Sequence, residues 1–342
     1  MNMKMNRTIL KTLAMALCAV LAVSCGSDDA PAETIETLGA SELSYHSAIV
    51  SGRINVSDEM MSAIEFGIEY SEQEAMSSPK TVKSKVLESG NKFKVTLENL
   101  NVGTEYYYRA YVKFLANGTV KYGALSSFTT LVPKTVGHDY VDLGLPSGTL
   151  WATCNVGADK PEDCGGYYAW GETEEKDYYD WSTYKYCKGS SSTLTKYCSD
   201  SSYGYNGFTD TGTVLESGDD VAHVKWGGDW RMPTDAEWSE LRSSSNCTWT
   251  WYGSGNTEFG GTAGYKVTGR KSGYESNFIF LPAAGYRGNG SLGSVGSYGG
   301  YWSSSLYESR PYSACYVGFD SGNYLRFDNY RYYGRSVRPV CP

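Results

Sequence analysis

The chain of 342 residues is acidic, with a formal net charge of −8 at pH 7, and is long enough for two or three domains. We expect no nucleic-acid partner, because phosphate binding needs a basic patch. Three histidines leave little material for a histidine-based catalytic or metal site. The 39 glycines and 30 tyrosines favour short strands joined by turns over long helices.

A basic segment followed by an apolar run opens the sequence. Lys4, Arg7 and Lys11 precede the apolar stretch 13–23. This stretch is too short to span a membrane as a mature helix, and the pattern is typical of a secretory signal. Residues 1–24 are therefore predicted to be a signal peptide.

The residues after this signal indicate a lipid anchor. Leu21-Ala-Val-Ser-Cys25 resembles a bacterial lipobox, which implies lipidation of Cys25 and membrane attachment through the lipid. The next residues, Gly26-Ser-Asp-Asp29, resemble the acidic tag that sends Bacteroidetes lipoproteins to the outer face of the outer membrane. Residues 25–33 would be the tether of a surface-exposed lipoprotein. A plain secretory signal and a merely solvated tether are the alternatives.

Short alternating runs between 34 and 131 predict an all-β domain. Ile64, Phe66 and Ile68 alternate with Glu65 and Glu69, as in a half-buried antiparallel strand.

Two further motifs in this region carry a resemblance. The run 100–110 (LNVGTEYYYRA) and the closing 127–130 (SFTT) resemble the last strands of a fibronectin type III-like or immunoglobulin-like sandwich. In such domains a corner tyrosine hydrogen-bonds back to the backbone. The resemblance implies a spacer domain over 34–131, followed by a linker at 132–138.

The remainder, residues 139–342, contains a set of specific motifs. They are GYYAWGE at 166–172, WGGDWRMPTDAEW at 226–238, FLPAAGYR at 280–287, YWSSS at 301–305 and GRSVRPV at 334–340. Together they resemble the Fibrobacter succinogenes major paralogous domain, a family of Bacteroidetes lipoproteins. This family is similar to the C-type-lectin-like superfamily, which also contains formylglycine-generating enzymes. The resemblance implies an α+β domain of short strands and loops with one or two short helices.

The clearest helix begins in the second of these motifs. Thr234 is placed to cap a helix that starts at Asp235, and Glu237 occupies the capping-box position. Trp238 and Leu241 would face inward.

Seven cysteines follow Cys25, without any CxxC pair. Cys187 with Cys198 is the most plausible local disulfide, and Cys154 with Cys341 is a second guess. Formylglycine-generating enzymes depend on a pair of cysteines near the C-terminus, where this chain offers only Cys315. We therefore predict a non-enzymatic protein, with an oxidase or another enzyme on the same fold as the alternative.

The segment between 306 and 333 has the composition of a binding surface. It is rich in tyrosine, arginine, serine, aspartate and asparagine, which supply rigid contact area and adaptable hydrogen bonds. Alternation predicts that Val317 and Phe319, and likewise Leu325 and Phe327, point into the core and leave a polar aromatic face exposed. The candidate ligand-binding residues are Tyr307, Glu308, Arg310, Tyr312, Tyr316, Asp320, Asn323, Tyr324, Arg326, Asp328, Asn329, Arg331 and Tyr332.

The segment also resembles the variable region of proteins diversified by a retroelement, which implies a varied binding face. Asp320, Asn323, Asp328 and Asn329 offer the hard oxygen ligands of a structural calcium ion, and no other cofactor is predicted. The expected function is a cell-surface lipoprotein that binds an extracellular protein or glycan. A structural or fimbria-associated surface component is the further alternative.

Overall fold

The computed structural model describes residues 34–342. The predicted signal peptide, the tether and the lipidation site at Cys25 lie outside the described residues. The described chain is built mostly of β-strands, with two short α-helices and three 3-10 turns within this range. The prediction of a β-rich chain with few short helices is confirmed.

Eight strands between 34 and 131 form two antiparallel sheets that share one hydrophobic core. Their bounds are Thr34–Ser41 (β1), Ala48–Asn55 (β2), Ile64–Ser71 (β3), Lys80–Lys83 (β4), Lys92–Leu97 (β5), Glu105–Phe114 (β6), Val120–Tyr122 (β7) and Ser126–Thr129 (β8). One sheet has the order β1-β2-β5. The other has the order β4-β3-β6-β7, and β8 also pairs with β6.

Strand β3 follows the alternation predicted for it. Ile64, Phe66 and Ile68 are buried in the shared core. Glu69 points away from this core and is nevertheless buried, because the guanidinium of Arg109 on β6 lies 2.7 Å from its carboxylate. The apolar face and its position are therefore confirmed.

The corner tyrosine is also confirmed. The hydroxyl of Tyr106 accepts a hydrogen bond of 2.9 Å from the backbone N–H of Asn101. The ring is buried and stacks on Phe128, with 5.8 Å between ring centroids. Tyr106 thus fixes the turn that leads into β6.

Eleven strands and both helices lie between 139 and 342. The strands are Tyr140–Asp142 (β9), Leu150–Ala152 (β10), Cys247–Tyr252 (β11), Gly264–Gly269 (β12), Phe278–Pro282 (β13), Tyr286–Gly288 (β14), Ser291–Gly293 (β15), Gly299–Leu306 (β16), Ser313–Phe319 (β17), Tyr324–Tyr330 (β18) and Val340–Cys341 (β19), and the helices are Val221–Trp226 (α1) and Asp235–Arg242 (α2). The sheets have the orders β19-β10-β9, β11-β12-β13, β14-β15 and β16-β17-β18.

The last strand closes this region onto its own beginning. β19 pairs with β10, and Val340 also forms a bridge to Arg231 just before α2. Trp151 of β10, Trp238 of α2 and Val340 are buried in one hydrophobic cluster. The start, middle and end of the region are therefore held together at one place.

Helix α2 has the predicted cap. The Thr234 hydroxyl accepts a hydrogen bond from the N–H of Glu237, whose carboxylate in turn accepts one from the N–H of Thr234. Trp238 and Leu241 are fully buried, as expected. The other helix, α1, has only six residues, and Asp220 caps it by accepting from the N–H groups of Ala222 and His223.

The predicted disulfides are not formed, and all seven cysteines within residues 34–342 are free thiols. Cys187 forms a β-bridge with Leu194, so that Cys198 is not opposite it, and its thiol donates to the carbonyl of Trp181 at 3.1 Å. The thiol of Cys198 donates to the carbonyl of Asp200 at 3.2 Å. Both disulfide assignments are therefore wrong.

The predicted linker is fixed to the second region. The backbone N–H of Lys134 donates to the carboxylate of Asp229 at 2.6 Å, and the indole N–H of Trp230 donates to the carbonyl of Thr135 at 2.7 Å. The ring of His138, expected at the surface, is half-buried and stacks on Trp226 with 3.8 Å between ring centroids. Within residues 34–342, none of the helices is long and apolar enough to cross a membrane.

Candidate binding surface

The hairpin of β17 and β18 does not form the predicted polar face. Its register pairs Tyr316 with Phe327 and Val317 with Arg326, so these partners share a face of the sheet. Leu325 and Phe327 are 49% and 42% exposed instead of lying in the core. The alternation within each strand was correct, but the assignment of its two faces in β18 was wrong.

The polar residues on the other face of β18 bind to their own chain. The Arg326 Nε lies 3.0 Å from both carboxylate oxygens of Asp235, at the start of α2. The Arg310 Nη2 lies 2.8 Å from Asp328 Oδ1. The ring of Tyr307 lies between the two arginines, 4.9 Å from one guanidinium carbon and 5.2 Å from the other. These residues form a polar cluster beside α2.

Two of the candidate residues are buried and do not belong to a binding surface. Tyr316 is 8% exposed, because Phe327 stacks over its ring and the Arg335 guanidinium lies beneath it. Arg331 is fully buried, and its three nitrogens donate to the Tyr184 hydroxyl and to carbonyls of 196, 197 and 311 at 2.8 to 2.9 Å. Its guanidinium holds the loop around Tyr184 in place.

The remaining candidates lie at the surface in several places. Asp320 accepts from the N–H groups of Gly322 and Asn323 and thereby shapes the exposed turn before β18. Tyr324 stacks on Trp249, with 4.5 Å between ring centroids. The others are Glu308 and Asn323, which are exposed, and Asn329, Tyr312 and Tyr332, which are half-buried.

Tyr312 and Tyr332 belong to a larger group of half-exposed rings, which we call the aromatic platform. Trp181 contacts Tyr332 and Tyr330 at centroid distances of 5.1 and 5.7 Å. The contacts continue to Tyr312 and Tyr203 in one direction and to Tyr333 in the other. The aromatic platform comprises Trp181, Tyr203, Tyr286, Tyr298, Tyr312, Phe327, Tyr330, Tyr332 and Tyr333.

Sequence reasoning missed the part of the platform that precedes residue 300. Trp181 and Tyr203 lie in a long loop region, and Tyr286 and Tyr298 flank the β14-β15 hairpin. Large aromatic residues among glycines, serines and aspartates were the available signal, because such loops lie at the surface. That signal does not show which loops come together.

A buried arginine supports the rings. The side chain of Arg335 is 2% exposed, and its guanidinium carbon lies 3.6 Å from the centroid of the Tyr316 ring. Its Nε and Nη1 have no hydrogen-bond partner within the described chain. A Cβ on Gly300 would lie 2.2 Å from its Nη1, so this position requires glycine. Arg335 therefore holds Tyr316 through a cation–π contact.

The proposed calcium ligands do not converge. Asp320 and Asn323 lie at the turn, whereas Asp328 and Asn329 lie at the far end of β18. Five residues of a strand separate Asn323 from Asp328 by about 17 Å, so the four cannot bind one ion. Within residues 34–342, there is no group of three or more His, Cys, Asp or Glu residues that could hold a metal ion. The expectation of a shared calcium site is wrong for these residues.

The two cysteines compared with the formylglycine-generating motif are unreactive. Burial raises the pKa of Cys315 to about 11 and that of Cys341 to about 12. The thiol of Cys315 lies 2.9 Å from Arg326 Nη2 and also contacts the carbonyl of Leu306. The two thiols lie on β17 and β19, in different sheets, and both are protonated near neutral pH.

A separate cleft of 690 Å³ lies between the two regions, away from the aromatic platform. His46 and Asn101 line one side, and Asp142, Ser147 and Lys271 line the other. Its lining mixes both signs of charge, and Ser147 already hydrogen-bonds to Glu240 of α2. The cleft therefore lacks the aromatic contact area of the platform.

Residues 270–340 match a family described as Domain of unknown function (DUF8237). The matched range contains the hairpin of β17 and β18 together with Tyr286, Tyr298 and the three buried arginines 331, 335 and 338. No curated protein matches the chain.

Solved structures give partial likenesses. The sensor domain of the anti-sigma factor RsgI4 of Pseudobacteroides cellulosolvens is 19% identical over 30% of this chain and 99% of that chain, with a TM-score of 0.25. Its solution structure is 21% identical over 29% of this chain and 76% of that chain, with a TM-score of 0.24. A structure described as a myokine is 19% identical over 28% and 97%, with a TM-score of 0.21. At these TM-scores, the likenesses carry no argument about fold or function.

Proposed function

We propose that this protein is a surface lipoprotein whose residues 139–342 bind an extracellular protein or glycan through the aromatic platform. The observation that carries the proposal is the contiguous set of half-exposed rings from three separate segments of the chain. Rings of this kind give large contact area at a low cost in conformational entropy. Tyrosine hydroxyls at their rims add hydrogen bonds that fix a ligand's orientation.

The rings are also preorganised, which favours binding. Arg331 and Arg335 are buried beneath them and hold the Tyr184 and Tyr316 rings, against which Trp181 and Phe327 pack. A surface that is already ordered loses less entropy when a ligand binds. Such an arrangement fits recognition without any bond being broken.

The architecture supports a spacer and a head. Two sheets around one core and the bonded corner of Tyr106 support a fibronectin type III-like sandwich for 34–131. Short strands, loops and the two helices support a C-type-lectin-like head for 139–342. The lipid at Cys25 would anchor the protein in the outer membrane with the head facing outward. Replacing Cys25 with alanine should release the protein from membranes, as measured by fractionation and by surface labelling of intact cells.

The retroelement hypothesis becomes more specific. Arg331 and Tyr316 are buried and hold other residues, so they should be constant even if the exposed candidates vary. A near-copy of the coding segment beside a reverse-transcriptase gene, with differences confined to exposed positions, would support diversification. A locus without either would leave an ordinary adhesin.

The binding proposal is tested with a glycan array and a panel of purified extracellular proteins. Trp181→Ala and Tyr332→Ala should each weaken whatever binding is found by at least about tenfold, because central aromatic residues carry most of the affinity of an interface. Tyr140→Ala is the matched control, since Tyr140 is 46% exposed and lies on β9, outside the platform. Equal losses in all three variants would contradict a role for the platform.

If the protein binds no glycan and no protein, the alternative of a structural or fimbria-associated component gains support. An oxidase or another enzyme on this fold is the second alternative. The raised pKa of Cys315 and of Cys341 disfavours thiolate chemistry there. A thiol-oxidation assay in which Cys315→Ser abolishes activity would revive that alternative.

A further inference from the structure

Strand β18 has an open edge. Within residues 34–342 it pairs only with β17, on one side. The outer edge of β16, on the other side of the same sheet, carries bridges to Val214, Gly285 and Ser336. An uncovered strand with exposed apolar side chains can pair with another chain, and proteins normally cover or interrupt such edges.

The backbone groups that point outward can be assigned. The N–H of Arg331 donates to the carbonyl of Tyr312, directly beyond the last residue pair of the hairpin. In an antiparallel ladder, alternate residues direct their N–H and C=O groups to the same partner strand. Odd-numbered residues of β18 therefore bond to β17. The even-numbered residues Tyr324, Arg326, Asp328 and Tyr330 direct theirs to the open edge.

We propose that β18 pairs with β18 of a second copy of this chain, antiparallel, about a twofold axis at Phe327. This register places Arg326 of each copy opposite Asp328 of the other, and Tyr324 opposite Tyr330. The strand is thus complementary to itself in charge and in aromatic character, as a twofold interface requires. The proposal does not depend on what the aromatic platform binds.

Charge selects this register over its neighbours. A shift of the twofold axis by one residue places Arg326 opposite Arg326 in one direction and Asp328 opposite Asp328 in the other. Like charges directly opposite each other destabilise a strand pair. In the proposed register all four outward-directed residues meet outward-directed residues, so every free N–H and C=O of the edge finds a partner. Phe327 meets its copy as a close, non-hydrogen-bonded pair.

The pairing has a consequence for the platform. Residues opposite each other in a sheet project from the same face, so Phe327 of both copies, and with it both aromatic platforms, would face the same side. Two platforms in one continuous sheet make the assembly bivalent, which raises the apparent affinity for a repeated ligand.

Single cysteines test the register. In the proposed dimer the two Cα atoms at 327 are about 4.5 to 5.5 Å apart, within the range of a disulfide. The two Cα atoms at 325 are separated by about 14 Å along the strands and cannot be joined. Oxidation of the full-length protein should therefore give a covalent dimer in Phe327→Cys at a yield at least about fivefold above Leu325→Cys. Both positions are exposed, so neither change disturbs the core.

The unmodified protein gives the background from its native cysteines and an independent measurement. Sedimentation velocity should show a dimer whose population rises with protein concentration and falls in Asp328→Arg, where two Arg326 side chains would face arginine. The combined change Arg326→Asp with Asp328→Arg restores opposite charges and should restore the dimer. Equal cross-linking at 325 and 327, or an unmodified protein that stays monomeric at every concentration, would overturn the proposal.

Discussion

Residues 34–131 and residues 139–342 are stabilised in different ways. The core of the first region consists of residues such as Val50, Ile68, Phe93 and Val95, which two sheets contribute by simple alternation. The second region has short strands and long loops, and its core contains most of the largest fully buried side chains. They include Trp151, Trp170, Trp230, Trp238, Trp302, Arg331, Arg335 and Arg338.

The difference shows what each kind of core demands of its residues. Apolar burial is non-directional, so a smaller apolar side chain loses stability in proportion to what is removed. A buried guanidinium is directional, and its loss leaves several carbonyls without donors in a place that water does not reach. The second region should therefore be more sensitive to single polar substitutions than the first.

The largest effect is expected from Arg331→Met. The change leaves buried carbonyls of 196, 197 and 311 without donors and should lower the free energy of unfolding of residues 139–342 by about 3–5 kcal/mol. Urea denaturation followed by tryptophan fluorescence measures it, because the tryptophans lie in this region.

Arg326→Met is the matched control for that prediction. Arg326 pairs with Asp235 in a partly exposed place, so its loss should cost less than about 1 kcal/mol. Similar losses for the two variants would mean that the buried arginines are not what stabilises this region.

A somewhat smaller effect is expected from Ile68→Ala in the first region. Ile68 is fully buried in a core that shares no residue with the clusters of 139–342. The cavity should cost about 2–4 kcal/mol, and Ile68→Val about 1 kcal/mol. Differential scanning calorimetry should show one transition lowered and the other unchanged. A shift of both transitions together would contradict independent cores.

The same contrast explains what could be predicted from the sequence. In β3 one sheet face meets one core, so the alternation of Ile64, Phe66 and Ile68 sufficed to identify the buried side. In β17 every residue is buried, whereas β18 lies at the edge with Leu325 and Phe327 exposed. Alternation separates two faces but does not say what covers each of them.

The candidate surface was predictable only in part. The position of the C-terminal segment and its aromatic character pointed to Tyr312 and Tyr332. Arg331 and Tyr316 have the same residue types as a surface for ligands, yet they are buried, because their polar atoms are satisfied by groups far away in sequence. Contacts over such separations leave no local pattern. The share of the platform formed by Trp181 and Tyr286 was missed for the same reason.

Acid should affect the second region through Asp219. Burial raises the pKa of this carboxyl group, but hydrogen bonds from Lys196, Tyr186 and Tyr197 outweigh it, and the net shift is downward. A carboxyl group with a lowered folded-state pKa stabilises the fold above its unfolded pKa, and this stability is lost as pH falls through the folded pKa.

The measurement compares unfolding of the unmodified protein and Asp219→Asn between pH 6 and about pH 2. The unmodified protein should lose more stability toward acid than the variant, because the variant has no carboxyl group to protonate at this position. Parallel pH profiles would contradict a stabilising role for ionised Asp219.

The smallest effect is expected where the sequence was most informative, at the cap of α2. Thr234→Ala removes the acceptor for the N–H of Glu237 and should lower the free energy of unfolding of residues 139–342 by about 1 kcal/mol. Thr234→Ser keeps the hydroxyl and should stay close to the unmodified protein. Glu237 would still pair with Arg231 at 2.5 Å, which limits the loss. A loss as large as that of Arg331→Met would show that local capping, and not the buried arginine network, dominates the stability of this region.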